Sequence, residues 1–161
     1  MKRLACLLML FPAPGFAAEL APFSTDGCSA FPEGTLEQQS LWFDCCISHD
    51  LTYWKGGNFA QRQQADLELG QCVAKLGEPD IAQLMYQGVR IGGTPHIPTP
   101  FRWGYGWPFA RGYKPLSEEE KRQVRAQLQA FQLMVKTITQ KVDKELGGES
   151  AEDIHKSPTP R

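Results

Sequence analysis

Cys45 and Cys46 are neighbours in the stretch LWFDCCISHDLTYW, residues 41–54. Adjacent cysteines pair poorly with each other, because their Cα atoms lie about 3.8 Å apart and a disulfide usually spans about 4.4–6.8 Å. If both are oxidised, this one segment is tied to two other parts of the chain. The N-terminus, MKRLACLLMLFPAPGFAAEL, bears on whether they are. Lys2 and Arg3 precede an apolar run from Leu4 to Phe11 and then small residues, the pattern of a secretory signal peptide over residues 1–17. Cleavage after Ala18 is the near alternative. Removal of that segment takes Cys6 with it and leaves Cys28, Cys45, Cys46 and Cys72. An even count in an exported chain, secreted or periplasmic, suggests two disulfides, with a zinc site as the other use of four cysteines.

The chain has 161 residues, enough for one domain over 18–148 with a flexible polar tail at 149–161. Its net charge of −1 gives no electrostatic case for binding nucleic acid. No segment after the leader is long and apolar enough for a membrane helix.

The pattern predicts helices throughout. Thr35, with Gln38 as its capping-box partner, opens a helix expected to reach Tyr53 or Trp54. KGGN at 55–58 breaks it, and Asn58 caps a second helix ending near Leu76, before Gly77 and Pro79. A link this short makes the two helices antiparallel neighbours. A third is expected over Asp80 to Val89, ending before the glycines at 92–93. A last helix starts at Ser117, with Glu120 completing a capping box. Along it Val124, Leu128, Phe131, Val135, Ile138 and Val142 recur at alternating steps of four and three. That stripe is expected to pack on the domain, a dimer seam being the alternative. Gly147 and Gly148 are the expected stop.

The hairpin gives a register. If the chain folds back near Gly57, residues whose numbers add to about 115 lie level with each other. His49 and Asp66 meet this, Cys45 and Cys72 come within two residues of it, and Cys46 and Cys72 fit slightly less well. The favoured pairing is Cys45–Cys72, which leaves Cys46 for Cys28. On the first helix Cys46, His49, Asp50 and Tyr53 follow an i, i+3, i+4, i+7 spacing and share a face. Asp66 can then accept a hydrogen bond from one His49 nitrogen, fixing its tautomer and leaving the other to take a proton. Asp50 stays free for another target. A carboxylate near a loop of exposed carbonyls is a hard-oxygen site of the kind calcium takes. The plainer alternative is a buried polar network that pins two helices.

CCISHDLTY resembles the CCxxHDxCY active-site helix of the secreted phospholipase A2 family. ADLELGQC at 65–72 resembles that family's second helix, where an aspartate precedes a cysteine by six, and DGCSAFPEGT at 26–35 sits where the family has its calcium loop. The resemblance covers roughly residues 24–75. It implies an all-α fold built on a disulfide-linked antiparallel helix pair, with further C-terminal helices. It also implies calcium-dependent hydrolysis of a glycerophospholipid ester at the sn-2 position, releasing fatty acid and lysophospholipid at a membrane or micelle surface. By position His49 matches the general base, Asp66 the aspartate that orients it, Tyr53 a supporting tyrosine and Asp50 the calcium ligand. The carbonyls of Gly27, Ser29 and Phe31 match the loop ligands, the Asp26 carboxylate being the alternative to them. Cys28–Cys46 and Cys45–Cys72 match the family's bridges. Ser29 and Phe31 stand where glycines are usual, Thr52 stands in place of a cysteine, and nothing after residue 80 matches the family. A non-catalytic module on the same scaffold, binding lipid or protein, is the alternative function.

FRWGYGWPF, residues 101–109, alternates aromatics with smaller residues. In an extended stretch these would face one side, making Trp103, Tyr105 and Trp107 candidates for a lipid interface. The alternative is that they fill a satellite core.

Overall fold

The turn after Lys55 organises the molecule. Gly56 and Gly57 take φ of +66° and +145°, so the chain reverses within two residues. Asn58 then starts the next helix with a full capping box: its side chain accepts from the Gln61 backbone and its own N–H donates to Gln61 Oε1, each at 2.9 Å. The computed structural model describes residues 18–146. The expected leader with Cys6, the helix stop at Gly147 and the polar tail lie outside the described residues. Within them are four helices and no strand: α1 (Phe43–Lys55), α2 (Phe59–Lys75), α3 (Pro79–Gly92) and α4 (Glu118–Leu146). The described chain is all-α.

α1 and α2 form the expected antiparallel pair. Cys45–Cys72 joins them across a Cα–Cα distance of 5.8 Å, and Cys28–Cys46 ties the preceding loop to α1 at 5.1 Å. Each closes a loop in the unfolded chain and contributes on the order of 2–4 kcal/mol. α3 packs along α2, burying Leu69, Val73, Ala82 and Met85 with the cysteines.

The start of α1 and the end of α3 differ from expectation. α1 begins at Phe43, not Thr35. The Thr35 hydroxyl does accept the Gln38 N–H at 3.0 Å, but the helix does not propagate. Trp42 is held by the upstream loop instead: its backbone N–H donates to Glu33 O and its indole N–H to Pro32 O. α2 closes where expected, at Lys75 with Leu76 as its C-cap. α3 runs three residues past Val89, to Gly92.

The aromatic segment is core, which corrects the interface assignment of Trp103, Tyr105 and Trp107. Trp103 and Trp107 are 1% and 2% exposed. Their indole N–H groups donate to Gly57 O and Lys55 O, while Gly104 N and Gly106 N donate to Tyr53 O and Trp54 O. The segment therefore wraps the C-terminal end of α1 and satisfies carbonyls that a helix end leaves open. Tyr105 is half-buried, with its hydroxyl donating to Ser24 O. The segment winds through turns, not as a strand, so its aromatics do not line up on one side.

α4 starts as expected, with Ser117 and Glu120 exchanging both capping-box bonds. Arg111 clamps Glu120 from the side. Its packing does not follow expectation. Val124 is buried and Leu128 half-buried, but Phe131, Val135, Ile138 and Val142 are exposed. Only the first turns of the stripe lie on the domain. Among the described residues no helix is long and apolar enough to cross a membrane.

Candidate active site

Cys46, His49, Asp50 and Tyr53 project from one face of α1, as their spacing predicts, and all four line the same cleft of about 360 Å³. The disulfide loop closes one side of it through Gly27, Ser29 and Phe31. α3 makes the opposite wall through Met85, Gly88, Val89 and Gly92. The lining is mostly apolar, with a few polar groups at one end, the usual character of a small-molecule site.

At that polar end His49 Nε2 lies 3.0 Å from Asp66 Oδ1. The carboxylate is an acceptor there, so Nε2 carries the proton. Nδ1 keeps its lone pair, and among the described residues nothing hydrogen-bonds it. Asp66 is fully buried and well supplied with donors. Tyr53 donates its hydroxyl to Oδ1 at 2.6 Å, and Arg90 Nη1 donates to Oδ2 at 2.6 Å. Arg62 Nε lies 3.7 Å from Oδ2 and donates to the Tyr53 oxygen at 3.0 Å. Burial opposes the charge on Asp66, but hydrogen bonds from His49, Tyr53 and Arg90 outweigh it and hold the carboxyl below its ordinary range. It remains a carboxylate. Burial raises the Tyr53 phenol, so that group stays protonated as a donor.

The hairpin register anticipated His49 and Asp66, and the shared helix face and the resemblance pointed to Tyr53. The two arginines were missed. Arg62 was accessible, since it precedes Asp66 by four on α2 and so shares its face. Arg90 was not, because its place depends on how α3 lies across α2. Together they close the back of the site: Arg62 Nη2 also donates to Val89 O and Arg90 O, and Nη1 donates to Tyr113.

Asp50 sits beside this network without being part of it. Its side chain is largely buried, and Thr25 Oγ1 is its one hydrogen-bond donor among the described residues, at 2.6 Å. Burial pushes its carboxyl up to about 6. Nearby Asp26 adds to this, while the Thr25 hydroxyl and His49 work against it. The loop that brings Gly27, Ser29 and Phe31 to the same cleft is bent by positive φ at three positions: Gly27 (+76°), Ser29 (+43°) and Ala30 (+64°). Two of these carry a Cβ, a conformation that costs about 1–2 kcal/mol per residue. The Cys28–Cys46 bridge anchors this stretch from between Gly27 and Ser29, and the Ser29 hydroxyl bonds Asp26 Oδ1 at 2.7 Å. Among the described residues no three His, Cys, Asp or Glu side chains cluster closely enough to hold a metal ion by themselves. A cation here would need backbone oxygens besides Asp50. A buried carboxylate with one neutral donor suits that use.

Compared with protein-family models, curated proteins and solved structures, the chain matches none.

Proposed function

We propose that the protein is a calcium-dependent lipid hydrolase of the phospholipase A2 type, which cleaves an ester of a glycerophospholipid with water activated by His49. The reading rests on one observation: a His49–Asp66 pair at 3.0 Å, with the second imidazole nitrogen unclaimed among the described residues, at the polar end of an apolar cleft and beside a separate buried carboxylate. The CCISHDLTY motif supports it. The two disulfides, which form in oxidising compartments, and the expected leader support an exported protein.

In this mechanism a water donates a hydrogen bond to His49 Nδ1. The proton moves to Nδ1 as the water oxygen bonds to the ester carbonyl carbon. Asp66 balances the imidazolium and, with Tyr53, Arg62 and Arg90 behind it, keeps the ring from turning. When the tetrahedral intermediate collapses, the ester C–O bond breaks and the leaving alkoxide takes the proton from Nδ1. The products are a fatty acid and a lysophospholipid, and His49 is neutral again. Asp50, with the carbonyls of Gly27, Ser29 and Phe31, would hold a calcium ion, whose chemistry is to polarise the ester carbonyl and stabilise the oxyanion. The acyl chain would lie along Met85, Val89 and Phe101. Fatty-acid release from phospholipid vesicles tests the reading. Release in calcium that falls to background in chelator is expected; a folded protein releasing nothing in calcium overturns it.

The α3 wall carries a prediction about chain length. A Cβ at Gly88 would meet nothing within 4 Å, so a side chain there has room without disturbing the fold. Gly88→Phe is expected to leave melting unchanged and to cut hydrolysis of long-chain substrate by about tenfold or more relative to a short-chain one. Equal loss on both would show that α3 does not line the acyl path.

A further inference from the structure

A second, smaller hollow of about 160 Å³ adjoins the cleft. The two meet at Asp50 and Phe101, which line both. Thr25, Asp26 and Tyr105 also line the smaller one. It thus presents two carboxylates and two aromatic rings. Among the described residues no Lys or Arg lines either the hollow or the cleft. Arg102, next to Phe101 in the chain, is engaged elsewhere: its guanidinium donates to Trp107 O and stands over the Phe109 ring at 5.7 Å.

The hydrogen bonds of the hollow narrow what it can hold. The Tyr105 hydroxyl donates to Ser24 O at 2.6 Å, and the Thr25 hydroxyl donates to Asp50 at 2.6 Å. Both donors are spent. Asp26 Oδ1 accepts from the Ser29 hydroxyl, while Oδ2 accepts from nothing among the described residues. What remains free is ring faces and carboxylate oxygen. An anionic group here would meet two like charges and no cation. A bare metal ion would gain nothing from the rings. An alkylammonium is attracted by both, since its charge interacts with the π faces and needs no acceptor for every contact.

We propose that this hollow receives the ammonium of a zwitterionic phospholipid headgroup, choline or ethanolamine, and so selects zwitterionic over anionic lipids. The proposal rests on the hydrolytic reading for its substrate. In a glycerophospholipid the cleaved ester and the headgroup phosphate hang from neighbouring carbons of the glycerol. With the ester carbonyl at His49 and Asp50 and the acyl chain in the apolar cleft, the headgroup falls beside Asp50, where the hollow opens. Asp50 is given to calcium in that reading. Asp26, whose side chain is exposed, is then the carboxylate left to balance the ammonium.

The test compares dihexanoyl phosphatidylcholine with dihexanoyl phosphatidylglycerol, both monomeric in solution and in saturating calcium, so that only the headgroup differs. Wild-type kcat/KM is expected to favour the choline lipid by about fivefold or more, and the gap to narrow as salt is raised. Asp26→Asn, which still accepts from Ser29, is expected to bring the two within about twofold of each other with melting unchanged. Equal turnover of both lipids by the wild type, or an unchanged ratio in Asp26→Asn, overturns the proposal. A second arm needs no turnover. Choline titrated in chelator is expected to shift the Tyr105 ring resonances at millimolar concentration, and to shift them less in Asp26→Asn. Choline binding at Tyr105 without hydrolysis of either lipid would keep the headgroup site and remove the hydrolytic reading. Tyr105 resonances that ignore choline overturn the site.

Discussion

His49→Gln is expected to lower calcium-dependent fatty-acid release by about 10²–10⁴-fold while the protein melts near its usual temperature. The two outcomes separate because His49 makes two kinds of bond. Its Nε2–H to Asp66 helps hold α1 to α2, and a glutamine amide can donate to the same oxygen. Only the proton acceptor facing the cleft is lost. Asp50→Asn is the companion, with a different signature. The Asp50 carboxyl titrates near 6 in the folded protein against an ordinary value of 3.8. The native state then holds its proton more tightly than the unfolded chain, so this group's contribution to stability falls as pH rises from about 4 to 6 and stays lost above that. Asn at this position carries no charge to bury and still accepts from Thr25. In chelator at neutral pH, Asp50→Asn is expected to melt higher than wild type, by an amount on the order of 1–3 kcal/mol. It is also expected to gain nothing from added calcium and to release no fatty acid. Undiminished release in either variant would remove the hydrolytic assignment. A calcium-induced rise in melting that persists in Asp50→Asn would remove Asp50 as a ligand.

What could be read from the sequence was whatever short-range geometry controls. The hairpin at 55–58 is closed by two glycines and a capping asparagine, so residues 49 and 66 had to come level, and the Cys45–Cys72 pairing followed from the same register. Placement by a third element was not legible. Arg90 reaches Asp66 only because α3 crosses α2 as it does, and a separation of 24 residues holds no signal of that. At Thr35 a local pattern misled. The hydroxyl and the Gln38 N–H made the bond of a helix start, but the Trp42 contacts to Pro32 and Glu33 fixed a different path. Hydrophobic periodicity had the same limit in α4. It showed an amphipathic face from Val124 to Val142 and carried no information on what lies against it.

The largest effect on stability is expected at Trp103, which packs at the C-terminal end of α1. A helix leaves its last carbonyls without partners, and here Tyr53 O, Trp54 O, Lys55 O and Gly57 O are all satisfied by residues 103–107. Trp103 also sets its ring edge-on to Tyr53 at a centroid distance of 5.1 Å, and Tyr53 in turn holds Asp66. Trp103→Ala removes a fully buried indole and unpairs the Gly57 carbonyl, a loss of about 3–5 kcal/mol. In a domain of this size that lowers melting by roughly 10 °C or more. Trp103→Phe keeps most of the ring and loses the N–H, so a smaller loss of about 1–3 kcal/mol is expected. Phe109→Ala, at an exposed ring in the same segment, is expected to cost less than about 1 kcal/mol. Vesicle partition per folded molecule should not change in either Trp103 variant, since the indole is buried. Normal melting in Trp103→Ala with weakened vesicle binding would return the aromatic segment to the lipid interface and place α1's capping elsewhere.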